Sequence, residues 1–104
     1  MVIFYNKSSG IALDPNVITK FEEMKLRKAY AFIVFKISSD STIIETEAEL
    51  VSSKAKAMGT EMVYEQLLSY LPTNEARYAV IDLEYQEGQL EGVRNRLVFI
   101  MWYY

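Results

Sequence analysis

The sequence predicts an α+β domain with a mixed, mainly antiparallel four-stranded sheet and one helix on each face. Three observations carry that prediction. Segments with helical spacing and segments with strand character follow one another as helix, strand pair, helix, strand pair. Two of the strand segments are apolar on both faces, as strands covered from both sides must be. The chain's 104 residues, 51% of them hydrophobic, suffice for one domain with a real core and little margin.

Asp14-Pro15 opens the first helix. Aspartate is a good N-cap, and proline at the next position already has a helical φ and lacks only an orphan donor. Val17, Ile18, Phe21 and Met24 recur at helical spacing, which predicts a helix over 15–25 with one apolar face. Lys25, Arg27 and Lys28 fall at its C-terminal end, where cations suit the dipole. Residues 30–37 are aromatic and β-branched, hence a central strand. Alternation puts Ala31, Ile33, Phe35 and Ile37 on one face and Tyr30, Phe32 and Val34 on the other. Ser38-Ser39-Asp40-Ser41 is a turn, and the charged residues 42–47 suit an edge strand. Residues 48–59 fit a loop or a short helix equally well.

Thr60 is placed as the N-cap of the next helix, with Tyr64, Leu67, Leu68 and Leu71 as its apolar stripe and Pro72 as its stop. Residues 77–85 form the third strand, with Ala79, Ile81, Leu83 and Tyr85 opposite Tyr78, Val80, Asp82 and Glu84. Residues 86–92 read as a hairpin loop through Gly88 and Gly92, and residues 94–104 as the fourth strand. A helix is about 10 Å wide and strands lie about 4.8 Å apart, so two helices leave part of four strands uncovered. Phe99, Ile100, Met101 and Trp102 should therefore be partly bare, beside an edge that invites pairing with another chain.

The composition narrows the function. A net charge of −3 argues against a general nucleic-acid binder. With no cysteine and no histidine, the usual zinc sites, disulfides, thiolates and imidazole bases are all excluded, and a reducing compartment such as the cytoplasm is the default address. Residues 97–104 are the longest apolar run, far short of the roughly 20 residues of a membrane helix. No glycine-rich phosphate loop is present, so no cofactor is expected. Asp82 and Glu84 share a strand face, but without a partner set they do not make an acid–base pair.

A family pattern is carried by Ser8-Ser9-Gly10-Ile11-Ala12-Leu13, by Phe21 with Met24-Lys25-Leu26-Arg27-Lys28, and by Tyr64-Glu65-Gln66-Leu67 running into Leu71-Pro72. Arg77-Tyr78-Ala79-Val80-Ile81-Asp82-Leu83-Glu84-Tyr85 and Leu97-Val98-Phe99-Ile100-Met101-Trp102 complete it. In this order and spacing, the pieces resemble the actin-depolymerising factor/cofilin family, with the flavour of amoebal and slime-mould members. The resemblance implies residues 1–7 as an N-terminal extension and residues 8–104 as an ADF-homology domain lacking its C-terminal third. In the family a long helix, a strand and a further helix follow the fourth strand, and the long helix centres the contact with monomeric actin.

The resemblance also implies partners and sites. The partner is actin, through cytoplasmic filament severing and depolymerisation in the cytoskeleton. Ser9, beside Gly10, resembles the serine whose phosphorylation blocks actin binding, with Ser8 as the alternative position. A phosphate there would set about two negative charges against acidic actin. Arg94 and Arg96 match a basic pair that contacts the filament side, where the arginine fork suits carboxylates. Lys25, Arg27 and Lys28 could meet acidic actin or phosphoinositide head groups, although solvated helix-end charges are the simpler reading. Self-association through the fourth strand, without actin binding, is the other reading.

Overall fold

The computed structural model describes residues 12–85 and 94–102. The predicted turn at residues 86–92 lies outside them. Eight elements follow in the order β1 (Ala12–Leu13), α1 (Pro15–Arg27), β2 (Tyr30–Ile37), β3 (Ile43–Val51), α2 (Ser52–Met58), α3 (Thr60–Ser69), β4 (Arg77–Tyr85) and β5 (Arg94–Trp102). The sheet order is β1-β3-β2-β4-β5, with β1 parallel to β3 and every other pair antiparallel. The α+β class and the central place of β2 are as expected. The strand count is corrected from four to five, because a two-residue strand has no periodicity to read. β1 is instead held by two bonds: Ala12 N–H donates to Thr42 C=O at 2.9 Å and Asp14 N–H to Ile44 C=O at 3.0 Å.

α1 begins where the sequence predicts, with the Asp14 carboxylate accepting from the Asn16 N–H at 2.9 Å. It runs two residues past the expected end and stops at Lys28, whose φ of 53° is left-handed and whose N–H bonds to Glu23 C=O. Its buried residues Val17 and Met24 pack with Ile33, Phe35, Ile44 and Val80 on one face of the sheet. Phe21 leans on Phe99 with ring centroids 5.8 Å apart, so α1 reaches as far as β5.

The opposite face carries α2 and α3. Phe32, Val34, Leu50, Ala79 and Ile81 pack there against Val63 and Leu67. The ambiguous residues 48–59 resolve as the end of a longer β3 followed by α2. Both helices meet at Gly59, which ends α2 and starts α3 with φ 88° and ψ 159°. Thr60 is therefore the first helical residue of α3, with no side-chain cap before it, and not the N-cap. The buried stripe of α3 is Val63 and Leu67, while Tyr64 and Leu68 are exposed. Apolar residues occur on several sides of this helix, so spacing alone could not choose. Packing against Phe32, Val34, Leu50, Ala79 and Ile81 buries Val63 and Leu67.

The sheet carries two bulges, and the first corrects the predicted facing. The β2–β3 register shifts between Tyr30 and Phe32 and again between Val34 and Phe35. At the first shift Ala31 is the extra residue, so Tyr30 joins the α1 face with Ile33 while Ala31 joins Phe32 on the other. At the second, Glu47 is the extra residue on β3. Simple alternation cannot see an inserted residue.

Gly59 yields a direct prediction. A Cβ there meets nothing within 4 Å, yet its backbone lies in a region essentially confined to glycine. Gly59→Ala should cost about 1–3 kcal/mol from backbone strain alone. Chemical denaturation with an unchanged m-value would show it, and a neutral result would mean that the α2–α3 junction relaxes freely.

The Ser38–Thr42 turn responds to pH. Asp40 accepts from Ser38 Oγ at 2.6 Å, Thr42 Oγ1 at 2.7 Å and Thr42 N–H at 3.2 Å. The Ser38 hydroxyl, then Thr42, holds its carboxyl below the usual aspartate range. A depressed folded pKa means that the carboxylate supports the turn above the unfolded pKa, and that this support fades as pH falls through the folded one. Carboxyl NMR titration should give Asp40 a midpoint below that of an Asp40 peptide, and Thr42→Val should move it back up.

Candidate functional site

The sites that the family pattern implies do not form one patch. Ser8, Ser9 and Gly10 lie outside the described residues. Arg94 and Arg96 are two positions apart on β5, opposite Tyr85 and Leu83 respectively, and Arg96 is exposed. The β4–β5 register is unbroken over nine pairs, so Arg96 shares a face with Val98 and Ile100, the face that carries α2 and α3.

The basic cluster at the end of α1 is divided by the left-handed cap. Lys25 borders an apolar groove with Leu13, Val17, Ile18, Phe21, Glu22 and Leu26. Lys28 instead borders a cavity of about 330 Å³ with Ser52, Lys56, Thr60, Tyr64 and Leu83. The reason is a tie between chain segments: Ser52 Oγ donates to Lys28 C=O at 2.6 Å, and Ser52 N–H to Ala29 C=O at 2.9 Å. These bonds draw the end of α1 against the start of α2. Arg27 is exposed on the last turn.

Leu83 connects the two regions. It lines the Lys28 cavity and lies opposite Arg96 in the sheet. Lys28, Lys56 and the Arg96 position thus border one side of the sheet, whereas Lys25 belongs to the other. Lys56 escaped the sequence reading because the α2 segment was ambiguous there. Its only sequence signal is a lysine in a short alanine-containing segment.

Asp82 lines the same cavity as Lys28 and Lys56, and three glutamates lie along the far edge. Glu45 faces Lys36 at 4.0 Å, Glu49 pairs with Lys20, and Glu47 takes Arg77 Nε at 2.6 Å. Arg77 also donates to Glu75 at 2.8 Å and to Ala76 C=O at 2.8 Å, and its pKa is raised chiefly by the bond to Glu47. Its side chain is only 11% exposed, so this cation is a structural clamp from β4 to the β3 bulge. Asp82 lies on β4, partly buried, and Glu84's side chain is not among those described. Among the described residues, no three acidic groups come together to hold a metal ion. None of the helices there is long and apolar enough to cross a membrane.

The architecture is a mixed five-stranded sheet with α1 on one face and α2 and α3 on the other. The chain belongs to the cofilin/ADF family: residues 10–103 match the family model of the cofilin/tropomyosin-type actin-binding protein. It is 39% identical over 94 residues to a cofilin of Yarrowia lipolytica, covering 90% of this chain and 56% of that relative. It is 34% identical to cofilin-1A of Dictyostelium discoideum, covering 91% and 62%. The solved cofilin of Streptomyces griseoflavus superposes with a TM-score of 0.68 at 30% identity, covering 88% of this chain and 60% of that one. Actin depolymerization factor 2 of Plasmodium berghei shares the fold, with a TM-score of 0.74 at 18% identity and coverage of 88% and 62%. The chain thus spans less than two thirds of the length of these relatives.

Proposed function

We propose that this chain is a non-enzymatic, cofilin-type actin-binding protein of the cytoplasmic cytoskeleton, promoting filament severing and depolymerisation or a weakened form of it. It engages the side of the filament through Arg94 and Arg96, with Lys28 and Lys56 on the same side of the sheet as the Arg96 position. The family match over residues 10–103 is the observation that carries the reading. Arginine on a strand presents a fork to actin carboxylates from a rigid support. Ser9 and Gly10 assist, and phosphorylation at Ser9, or at Ser8, opposes binding by adding negative charge. Lys25, Arg27 and Lys28 offer cations to acidic actin or to phosphoinositide head groups. Co-sedimentation with filaments tests the reading. The chain should pellet in proportion to filament concentration, and retention in the supernatant at saturating filament would sink the idea.

A second reading is favoured by one observation. Met101 is 67% exposed on β5, and no described strand pairs with the outer edge of β5. On this reading the chain associates with itself through β5 at the expense of actin.

A further inference from the structure

The sheet forks between β2 and β4. β4 pairs with β5 over nine residues but with β2 over only four, from Tyr78 opposite Phe35 to Ile81 opposite Phe32. The parting falls at the Ala31 bulge, beyond which Tyr30 pairs with Val51 of β3. From Asp82 onward, no described strand pairs with β4 on its β2 side. A strand side without a partner is a template for adding another strand.

The cavity of about 330 Å³ lies at this fork, lined by Ala31 of one parting strand and Ile81 of the other. Ala55 and Val63, from α2 and α3, add to its apolar lining, and Lys28 and Lys56 supply cations. Asp82 also lines it, but alternation along β4 from Val80, which packs on the α1 face, turns the Asp82 carboxylate towards that face. Every lining residue lies between positions 28 and 83, and the bonds from Ser52 to Lys28 and Ala29 hold the walls together. The fork is therefore built wholly from the interior of the chain.

We propose that the fork takes an extended acidic segment of a partner protein, added as a strand beside residues 82–84 of β4. This rests on the actin-binding reading above and names the kind of segment that such a contact uses. Backbone pairing gives an added strand its affinity, and pockets for alternate side chains give it specificity. Successive side chains of the segment point to opposite faces, so one apolar side chain enters the α2–α3 face beside Val63 and Ile81. A cavity of about 330 Å³ is near the lower limit of ligand-sized pockets, which suits one large apolar side chain. Carboxylates flanking it meet Lys28 and Lys56, whereas a basic segment would bring like charges together. Leu83 lines the cavity and lies opposite Arg96, so the segment continues the contact proposed for that arginine.

A blocked synthetic heptapeptide, one central leucine between aspartates, is the probe, titrated into the full chain without actin. Amide NMR spectra should show saturable shifts at Ala31, Gly59 and residues 81–84, with a Kd below about 1 mM. Replacing the leucine by glycine should weaken binding at least about fivefold. Replacing the aspartates by lysines should abolish it, and so should methylating the probe's backbone amides, which removes its strand donors. These changes leave the protein untouched. On the protein, Lys56→Glu should weaken binding at least about tenfold. Ala55→Leu, which fills the cavity, should weaken it at least about fivefold, with circular dichroism confirming the fold. No saturable shift, equal binding of the lysine probe, no effect of amide methylation, or shifts confined to residues 45–49 or to the α1 groove would each overturn the proposal. Co-sedimentation of the same chain separates the two readings. Pelleting with filaments but no probe binding would overturn the fork alone. Probe binding without pelleting would overturn the filament reading and support the fork.

Discussion

Phe32→Ala should destabilise the protein by about 3–5 kcal/mol, the cost of removing a large aromatic from a packed core. Phe32 is fully buried on β2, among Val34, Leu50, Val63, Leu67, Ala79 and Ile81, with the Tyr70 ring 6.4 Å away. Apart from Val34 on β2 itself, those neighbours come from β3, α3 and β4, each anchored by its own backbone bonds, so the cavity cannot collapse cheaply. The whole stability of a small domain is only about 5–15 kcal/mol. The variant should therefore melt many degrees lower or populate unfolded chain at 25 °C. Leu26→Ala is the contrast: Leu26 is 76% exposed, and its loss should move stability by less than about 0.5 kcal/mol. Thermal and denaturant unfolding of the pair checks both claims. Equal effects would mean that the core is not centred on β2.

Arg96→Glu should lower filament affinity at least about tenfold, and Arg96→Glu with Lys28→Glu should abolish co-sedimentation. Both residues are exposed, so the fold should survive and circular dichroism should be unchanged. The reasoning is electrostatic. Reversing a cation that faces carboxylates removes an attraction and adds a repulsion, costing more than neutralisation. Arg96→Lys should recover part of the affinity, because it restores charge without the bidentate fork. A Lys25→Glu variant separates the two sides of the sheet. If filament contact runs along the Arg96 side, Lys25→Glu should bind far better than Arg96→Glu. The reverse order would place the contact on the apolar groove beside α1. Rising salt should weaken all of these interactions, since exposed charges are screened.

The elements most legible in the sequence were those whose signals are local. Asp14-Pro15 marks the start of α1 by cap chemistry that needs no tertiary partner. The two-sided apolarity of Tyr30–Ile37 placed β2 in the middle of the sheet, where four consecutive residues, Phe32 to Phe35, are fully buried. The alternation in Arg77–Tyr85 correctly divided Ala79 and Ile81 from Tyr78 and Val80. The family itself was readable because ordered fragments along the chain supply many weak signals at once, and residues 10–103 match its model.

The misreadings share a cause. β1 is too short to show a period and exists through its bonds to β3. The face of Tyr30 follows from a bulge, which depends on how two strands fit together and not on either alone. The buried stripe of α3 is chosen by packing against the sheet, because the helix has apolar residues on more than one side. The basic cluster behaved similarly. Lys25 and Lys28 are three residues apart, which normally places two side chains on one helix face. The left-handed turn at Lys28 and its tie to Ser52 set them on different surfaces.

By itself, then, the sequence determined the α+β class, the central strand, the start of the first helix and the family. Each rests on spacing, capping or burial preference within a few residues, or on their order along the chain. Only the tertiary structure decided which cations share a side of the sheet and which edge is blunted by charge. Those outcomes depend on register, bulges and a left-handed cap, where the backbone of one segment is set by hydrogen bonds from another. The same dependence brings Lys28 and Lys56 to one cavity from two helices.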